Sequence, residues 1–144
     1  MKLATLSAGT NGVHATQSDG TSGAIFLNKA VFNKKKSEIE ARTRKGYESG
    51  WSTKTNKPIA HTVTHELAHA TWNSHLSSAN AKKATPEIRK VYSQWAKDKR
   101  KKGYGTYAHT NVNEFFAETI TKSVHGKSDK YTRALIDIVK RNKL

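Results

Sequence analysis

Three histidines and a glutamate fall within HELAHATWNSH, residues 65–75. Its first five residues fit the pattern H-E-x-x-H. On a helix, residues four apart share a face, one turn from each other. His65 and His69 can therefore bring their imidazoles to one Zn²⁺ ion. Glu66 falls between them in angle, so its carboxylate can lean over the metal and take a proton from an attacking water. A merely structural metal site needs no such base.

Two patterns compete for the third ligand. In the metzincin pattern, H-E-x-x-H-x-x-G-x-x-H, it would be His75. On a straight helix His75 lies about 9 Å beyond His69 along the axis, so it reaches the metal only if the chain breaks sharply at 72. That turn needs positive φ, which glycine adopts readily, but the residue there is Trp72. The methionine-containing turn of that pattern has no counterpart either, since Met1 is the only methionine. His61 sits one turn before His65. The three histidines 61, 65 and 69 span about 12 Å of axis, too long for one tetrahedral ion, so His61 reads as a surface or supporting residue. A carboxylate is the better candidate. NEFFAE, at 113–118, sets Glu114 and Glu118 four apart on one helix face, while Phe115 and Phe116 turn toward the core. The carboxylate nearer the metal can ligate, and the other can orient a ligating imidazole. The alternative is a solvated helix face with two ordinary glutamates. Two His and one Glu leave a fourth position open, as catalytic zinc sites require.

The elements that must carry these residues follow from pattern and punctuation. Residues 1–22, rich in Gly, Ser, Thr and Asn, read as a loose arm with at most a short strand near VHATQ. GAIFLNKAVF, 23–32, is the best strand. Helices are expected over 33–46, stopped by Gly46; from Pro58 through Trp72, with Ile59, Val63 and Leu67 as its apolar row; over 85–102, with Thr85 as cap; over 111–125, closed by Gly126; and over 128–144. GYGTYAHT at 103–110 is a glycine-rich connector. The expected fold is α+β, a small twisted sheet packed on the H-E-x-x-H helix with further helices behind. Residues 23–144 then form one domain.

HELAH followed by YAHTNVNEFFAE resembles the gluzincin-type zinc protease domain of anthrax lethal factor and its relatives, including domains at the ends of phage Mu F-type minor head proteins. The resemblance covers roughly residues 23–125. It implies a zincin-like fold and a zinc-dependent endopeptidase, with His65, His69 and Glu114 as metal ligands. It further implies Glu66 as the catalytic base, Glu118 as the carboxylate behind a ligand, and Tyr107 as a catalytic hydroxyl. AIFLN is then a candidate edge along which an extended peptide pairs. The Lys-rich helix and the N-terminal arm have no counterpart in the resemblance, so substrate choice is not implied.

Composition bounds the rest. The chain has 144 residues, no cysteine, and a net charge of +15. Disulfides are excluded, and any metal ligands must be histidine or carboxylate. No apolar run suits a signal peptide or a membrane span, so the expected location is the cytoplasm of a bacterial host, a phage virion, or both. The positive charge comes in runs at 33–36, 97–102 and 139–144. It is expected to favour nonspecific nucleic-acid contact alongside a protein or peptide substrate, with no membrane partner and a monomeric state outside a virion assembly. The competing reading is a basic phage structural or DNA-associated accessory protein that retains an idle zinc site.

Overall fold

The computed structural model describes residues 1–16, 23–73 and 78–144. Its fold is mixed α+β, a three-stranded sheet with mostly helical structure packed behind it. Strand β3 (Gly23–Asn28) is central. β1 (Lys2–Ala4) pairs with it in parallel and β2 (Gly12–Thr16) antiparallel, with Val13 opposite Phe26. Of the loose arm expected over 1–22, residues 1–16 supply both outer strands: the short strand expected near VHATQ is β2, β1 replaces loose chain, and 17–22 lie outside the described residues. AIFLN is likewise corrected, from sheet edge to central strand.

Buried Asn28 explains why so polar a segment is held. Its amide donates to the carbonyls of Ser7 (3.0 Å) and Thr10 (2.8 Å). Its side-chain oxygen accepts the Ala30 N–H (3.1 Å) and caps the short helix α1 (Lys29–Phe32). One buried side chain thus satisfies backbone groups that a turn of this composition would otherwise leave to water. Arg42 adds a second tie, from α2 (Lys36–Glu48) to Asn11 (2.8 Å) and to the carbonyl of Ala8 (2.7 Å).

Helix α3 (Pro58–Asn73) lies between the sheet and α5 (Val112–His125). α4 (Ala79–Lys97) and α6 (Lys130–Asn142) pack on the far side of α5. The core is helical, built on Trp72, Ile88, Trp95, Phe115, Phe116 and Leu135. Phe116 meets the Trp72 ring at 5.2 Å and Phe115 meets Trp95 at 4.7 Å. The two phenylalanines thus anchor α5 as expected.

α4 starts six residues before the expected cap. Ser78 caps it, its hydroxyl accepting the Ala81 N–H. Thr85 instead donates its hydroxyl to the Ala81 carbonyl (2.7 Å) and accepts from the Trp72 indole (3.0 Å). The helix runs on through Pro86 because the row Ala81, Ala84, Ile88, Val91 and Trp95 is buried along its length. That burial outweighs the backbone bond proline removes. Residues 98–102, expected as helix, lie beyond the end of α4. The connector contains one 3₁₀ turn, Thr106–His109.

Candidate metal centre

α3 and α5 face each other, each with residues four apart on the shared side. The buried face of α3 is not its apolar row: Leu67 is exposed, while His61, His65 and Glu66 are buried beside Ala68 and Trp72. Three ligand atoms converge there. His65 Nε2 lies 3.0 Å from Glu114 Oε2 and 3.1 Å from His69 Nε2, and His69 Nε2 lies 3.3 Å from Glu114 Oε2. A tetrahedral zinc with bonds near 2.0–2.1 Å requires ligand atoms about 3.3 Å apart. This triangle of one carboxylate oxygen and two imidazole nitrogens has that size, so the residues fit the ion.

Glu118 stands behind His65. It accepts from His65 Nδ1 (2.9 Å), from His61 Nε2 (3.3 Å) and from the backbone N–H of Thr53 (2.7 Å). The geometry distinguishes the two glutamates that spacing leaves equivalent: Glu114 reaches Nε2 of both histidines, and Glu118 reaches only the rear of His65. His61 is a buried support rather than a surface residue. Its Nδ1 meets the Tyr47 hydroxyl at 3.1 Å, and Tyr47 in turn meets Thr55 Oγ1 at 2.8 Å. A directional row results in which the carboxylate accepts, His61 donates through Nε2, and Tyr47 donates to Nδ1. His61, His65 and Glu118 also form a second group with ligand spacing. Glu118 Oε1 there accepts from both imidazoles, and its Oε2 accepts from the Thr53 N–H.

Titration follows the same geometry. Burial lowers the His65 imidazole, but its bonds to Glu114 and Glu118 outweigh this and raise it to about 10. Burial raises Glu114, and the imidazoles of His65 and His69 reverse that, lowering it to about 2. Glu118 is held below the usual carboxylate range in the same way, by His61 and His65 against burial. Glu66 is raised, chiefly by burial, with His65 and His69 pulling back. It stands under the start of β2: a Cβ on Gly12 would come within 3.0 Å of Glu66 Cγ and of Thr62 Cγ2. Glycine at 12 thus lets the strand lie flat on the helix at the candidate base.

Tyr107, in the 3₁₀ turn, stacks on His65 with ring centres 5.7 Å apart, on the side of the site that carries Glu114. Burial and the neighbouring Glu114 both push its phenol up. Its backbone N–H donates to the Trp51 carbonyl (2.8 Å), and the exposed Trp51 ring stacks on its outer side at 5.2 Å. Gly105 makes this docking possible, because a Cβ there would collide with the backbone of Trp51, Ser52 and Thr53. Tyr104, by contrast, bonds Asp129 (2.9 Å) and packs on Trp95, away from the histidines. A cleft of about 430 Å³, lined in part by Gly12, Arg42, Trp51 and Tyr107, opens onto His65 and Glu66.

α3 continues as helix through Trp72 to Asn73, so the break that would bring His75 back to the metal does not occur at 72. His75 itself lies outside the described residues. No protein-family model matches the chain, and no curated protein or solved structure matches it significantly.

Proposed function

We propose that the protein is a zinc-dependent endopeptidase of gluzincin type, with a zincin-like arrangement of sheet, H-E-x-x-H helix and ligand-bearing α5. The observation that carries this reading is the triangle of His65 Nε2, His69 Nε2 and Glu114 Oε2, with Glu66 buried one residue from the first ligand. When bound, zinc supplies a Lewis acid that polarises a carbonyl and makes water acidic near neutral pH. The chain's own residues do the rest. His65, His69 and Glu114 hold the ion, and Glu118 fixes the orientation of His65. Glu66, raised by burial, takes the proton of the attacking water and passes it to the leaving amine. Tyr107, stacked on His65, donates its hydroxyl to the developing oxyanion. An extended peptide substrate pairs along β2, the outer strand that lies against α3. The protein acts in the cytoplasm of a bacterial host or in a phage virion, on a protein substrate.

The test is cut-site mapping in a host protein extract with zinc-loaded wild type and Glu66→Gln. Zinc content should stay near one equivalent in both, with new termini from the wild type alone. Equal cleavage by the two proteins would remove Glu66 from the chemistry. Full zinc content with no cleavage by either would leave the idle-site accessory reading.

A further inference from the structure

A second cleft, of about 720 Å³, lies where the segment after α4 (98–103) meets the turn between α5 and α6 (126–130), with Lys54 and Asn56 as its other wall. It shares no lining residue with the cleft at His65. Seven lysines and arginines line it, against two carboxylates. Both carboxylates are consumed internally. Asp98 accepts from the Tyr131 hydroxyl (2.6 Å), Lys130 (2.7 Å) and the Arg100 N–H (2.9 Å). Asp129 caps α6 and accepts from Lys122 (2.8 Å) and the Tyr104 hydroxyl (2.9 Å). Lys101 is held by the carbonyls of Ala96 and Asp98 and lies over the Trp95 ring at 5.0 Å.

The cations that remain are exposed. Lys54, Lys102 and Lys127 have no carboxylate partner among the described residues, and Arg100 stands 3.9 Å from Asp98 with its side chain 92% exposed. The walls between them are firm. Lys122 donates to the Lys127 carbonyl (2.7 Å), and the Asn56 N–H donates to the His125 carbonyl (2.7 Å). Of the three basic runs in the sequence, 97–102 is the one that lines this cleft with cations from other segments. In the C-terminal run, Arg141 is paired with Glu87 (2.8 Å).

We propose that this cleft binds the sugar-phosphate backbone of nucleic acid without reading its bases. An acidic protein partner would be expected to find an aromatic or aliphatic anchor at the centre of its contact. Among the described residues, none of the exposed large hydrophobic ones lines this cleft. The Tyr131 ring is buried and its hydroxyl committed, so no stacking platform faces a base. What the cleft offers is a cluster of point charges on a fixed frame, which matches phosphates. The inference does not depend on the reading of the metal centre.

The test is fluorescence anisotropy of a labelled mixed-sequence DNA duplex, titrated at several salt concentrations. Three proteins are compared: wild type; a cleft variant carrying Lys54→Glu, Lys102→Glu and Lys127→Glu; and a control carrying Lys34→Glu, Lys36→Glu and Lys83→Glu. The control makes the same change in net charge at exposed positions outside the cleft. Thermal melting establishes that all three are folded, and Lys→Gln versions replace any that is not. Wild-type affinity should fall steeply with salt. The cleft variant should lose at least about tenfold in affinity and about two to three units of salt slope, and the control much less. A second duplex of unrelated sequence should bind equally, and polyglutamate at equal charge should compete poorly. Equal losses in both variants would mean diffuse attraction by net charge and would overturn the assignment. So would absence of wild-type binding at low salt, or polyglutamate competing as well as DNA, the mark of an acidic protein partner.

Discussion

His65 meets a carboxylate at each ring nitrogen, Glu118 at Nδ1 and Glu114 at Nε2. Only one of these contacts can survive metal binding unchanged, and it is the Nδ1 bond that turns the imidazole toward the ion. The H-E-x-x-H pair was legible because helical spacing alone puts both imidazoles on one side. The assignment of Glu114 and Glu118 was not legible from spacing, because both satisfy it; their roles depend on how far α5 is displaced along α3. Spacing left His61 open between a surface and a supporting place for a related reason, and the structure gives it the supporting one. It is bonded by Tyr47 and Glu118, residues of other elements that no local pattern reports. Tyr107 and Tyr104 are similar letters in the same connector, yet one stacks on His65 and the other caps a distant aspartate. Tyr107→Phe is therefore expected to keep zinc while turnover falls roughly 10²- to 10³-fold, as for loss of a donor to an oxyanion. Tyr104→Phe should cost about 1 kcal/mol of stability and leave turnover near wild type. Zinc content, kcat and melting temperature of the two variants decide between the tyrosines.

Helix α3 shows how a functional face can mislead a reading by apolar periodicity. Ile59, Val63 and Leu67 recur at helical spacing, but the side that meets the sheet and α5 carries His61, His65 and Glu66. Those polar residues are buried because partners on α5 satisfy them, which outweighs the preference for apolar burial. β1 escaped pattern reading and β2 was legible only as a short strand near VHATQ, because both are short and largely exposed and their support comes from Asn28 and Arg42 further along the chain. α5 and α6 were legible because their caps are local, Asn111 and Asp129 being where sequence rules place them. Asp129 does more than cap: it also holds the ammonium of buried Lys122. Asp129→Ala should therefore exceed the usual cap loss of about 1 kcal/mol and reach roughly 3 kcal/mol or more, because it strands a buried charge. Asp129→Asn, which can still cap, should fall between. Denaturant unfolding of the three proteins measures this. A loss in Asp129→Ala no larger than a cap's would show that Lys122 finds another partner.

A metal at this site would tie α3 to α5 at the centre of the molecule, so its effect should appear in global unfolding. Zinc at about a thousand times its Kd is expected to add roughly 4 kcal/mol, or about 10 °C in Tm for a chain of this size. The gain must depend on pH. In the metal-free protein His65 is raised to about 10 from 6.5, so its contribution is complete below pH 6.5 and is lost as pH rises through about 10. Glu114 is lowered from 4.5 to about 2, so its contribution is present above pH 4.5 and lost as pH falls toward 2. Zinc must displace the His65 proton, so the gap in Tm between zinc-loaded and metal-free protein should widen from pH 6 to pH 9. Proton release on binding should be measurable by calorimetry in buffers of different ionisation enthalpy. A gap that stays flat across that range would mean that no proton leaves His65. The segment 50–57 belongs to the same scale, because it forms a wall of both clefts. Thr53 and Thr55 are buried, the first meeting Glu118 through its backbone N–H and the second meeting Tyr47 through its hydroxyl, while Lys54 and Asn56 are exposed and line the basic cleft. Burial alternates along the segment, as successive side chains of extended chain alternate sides, so one inserted or deleted residue here would exchange the two sets, turning a lysine toward the supports of His65 and a threonine toward the basic cleft. Over evolutionary time the segment can change its letters but not its count, and an alignment of any relatives should be free of gaps across it.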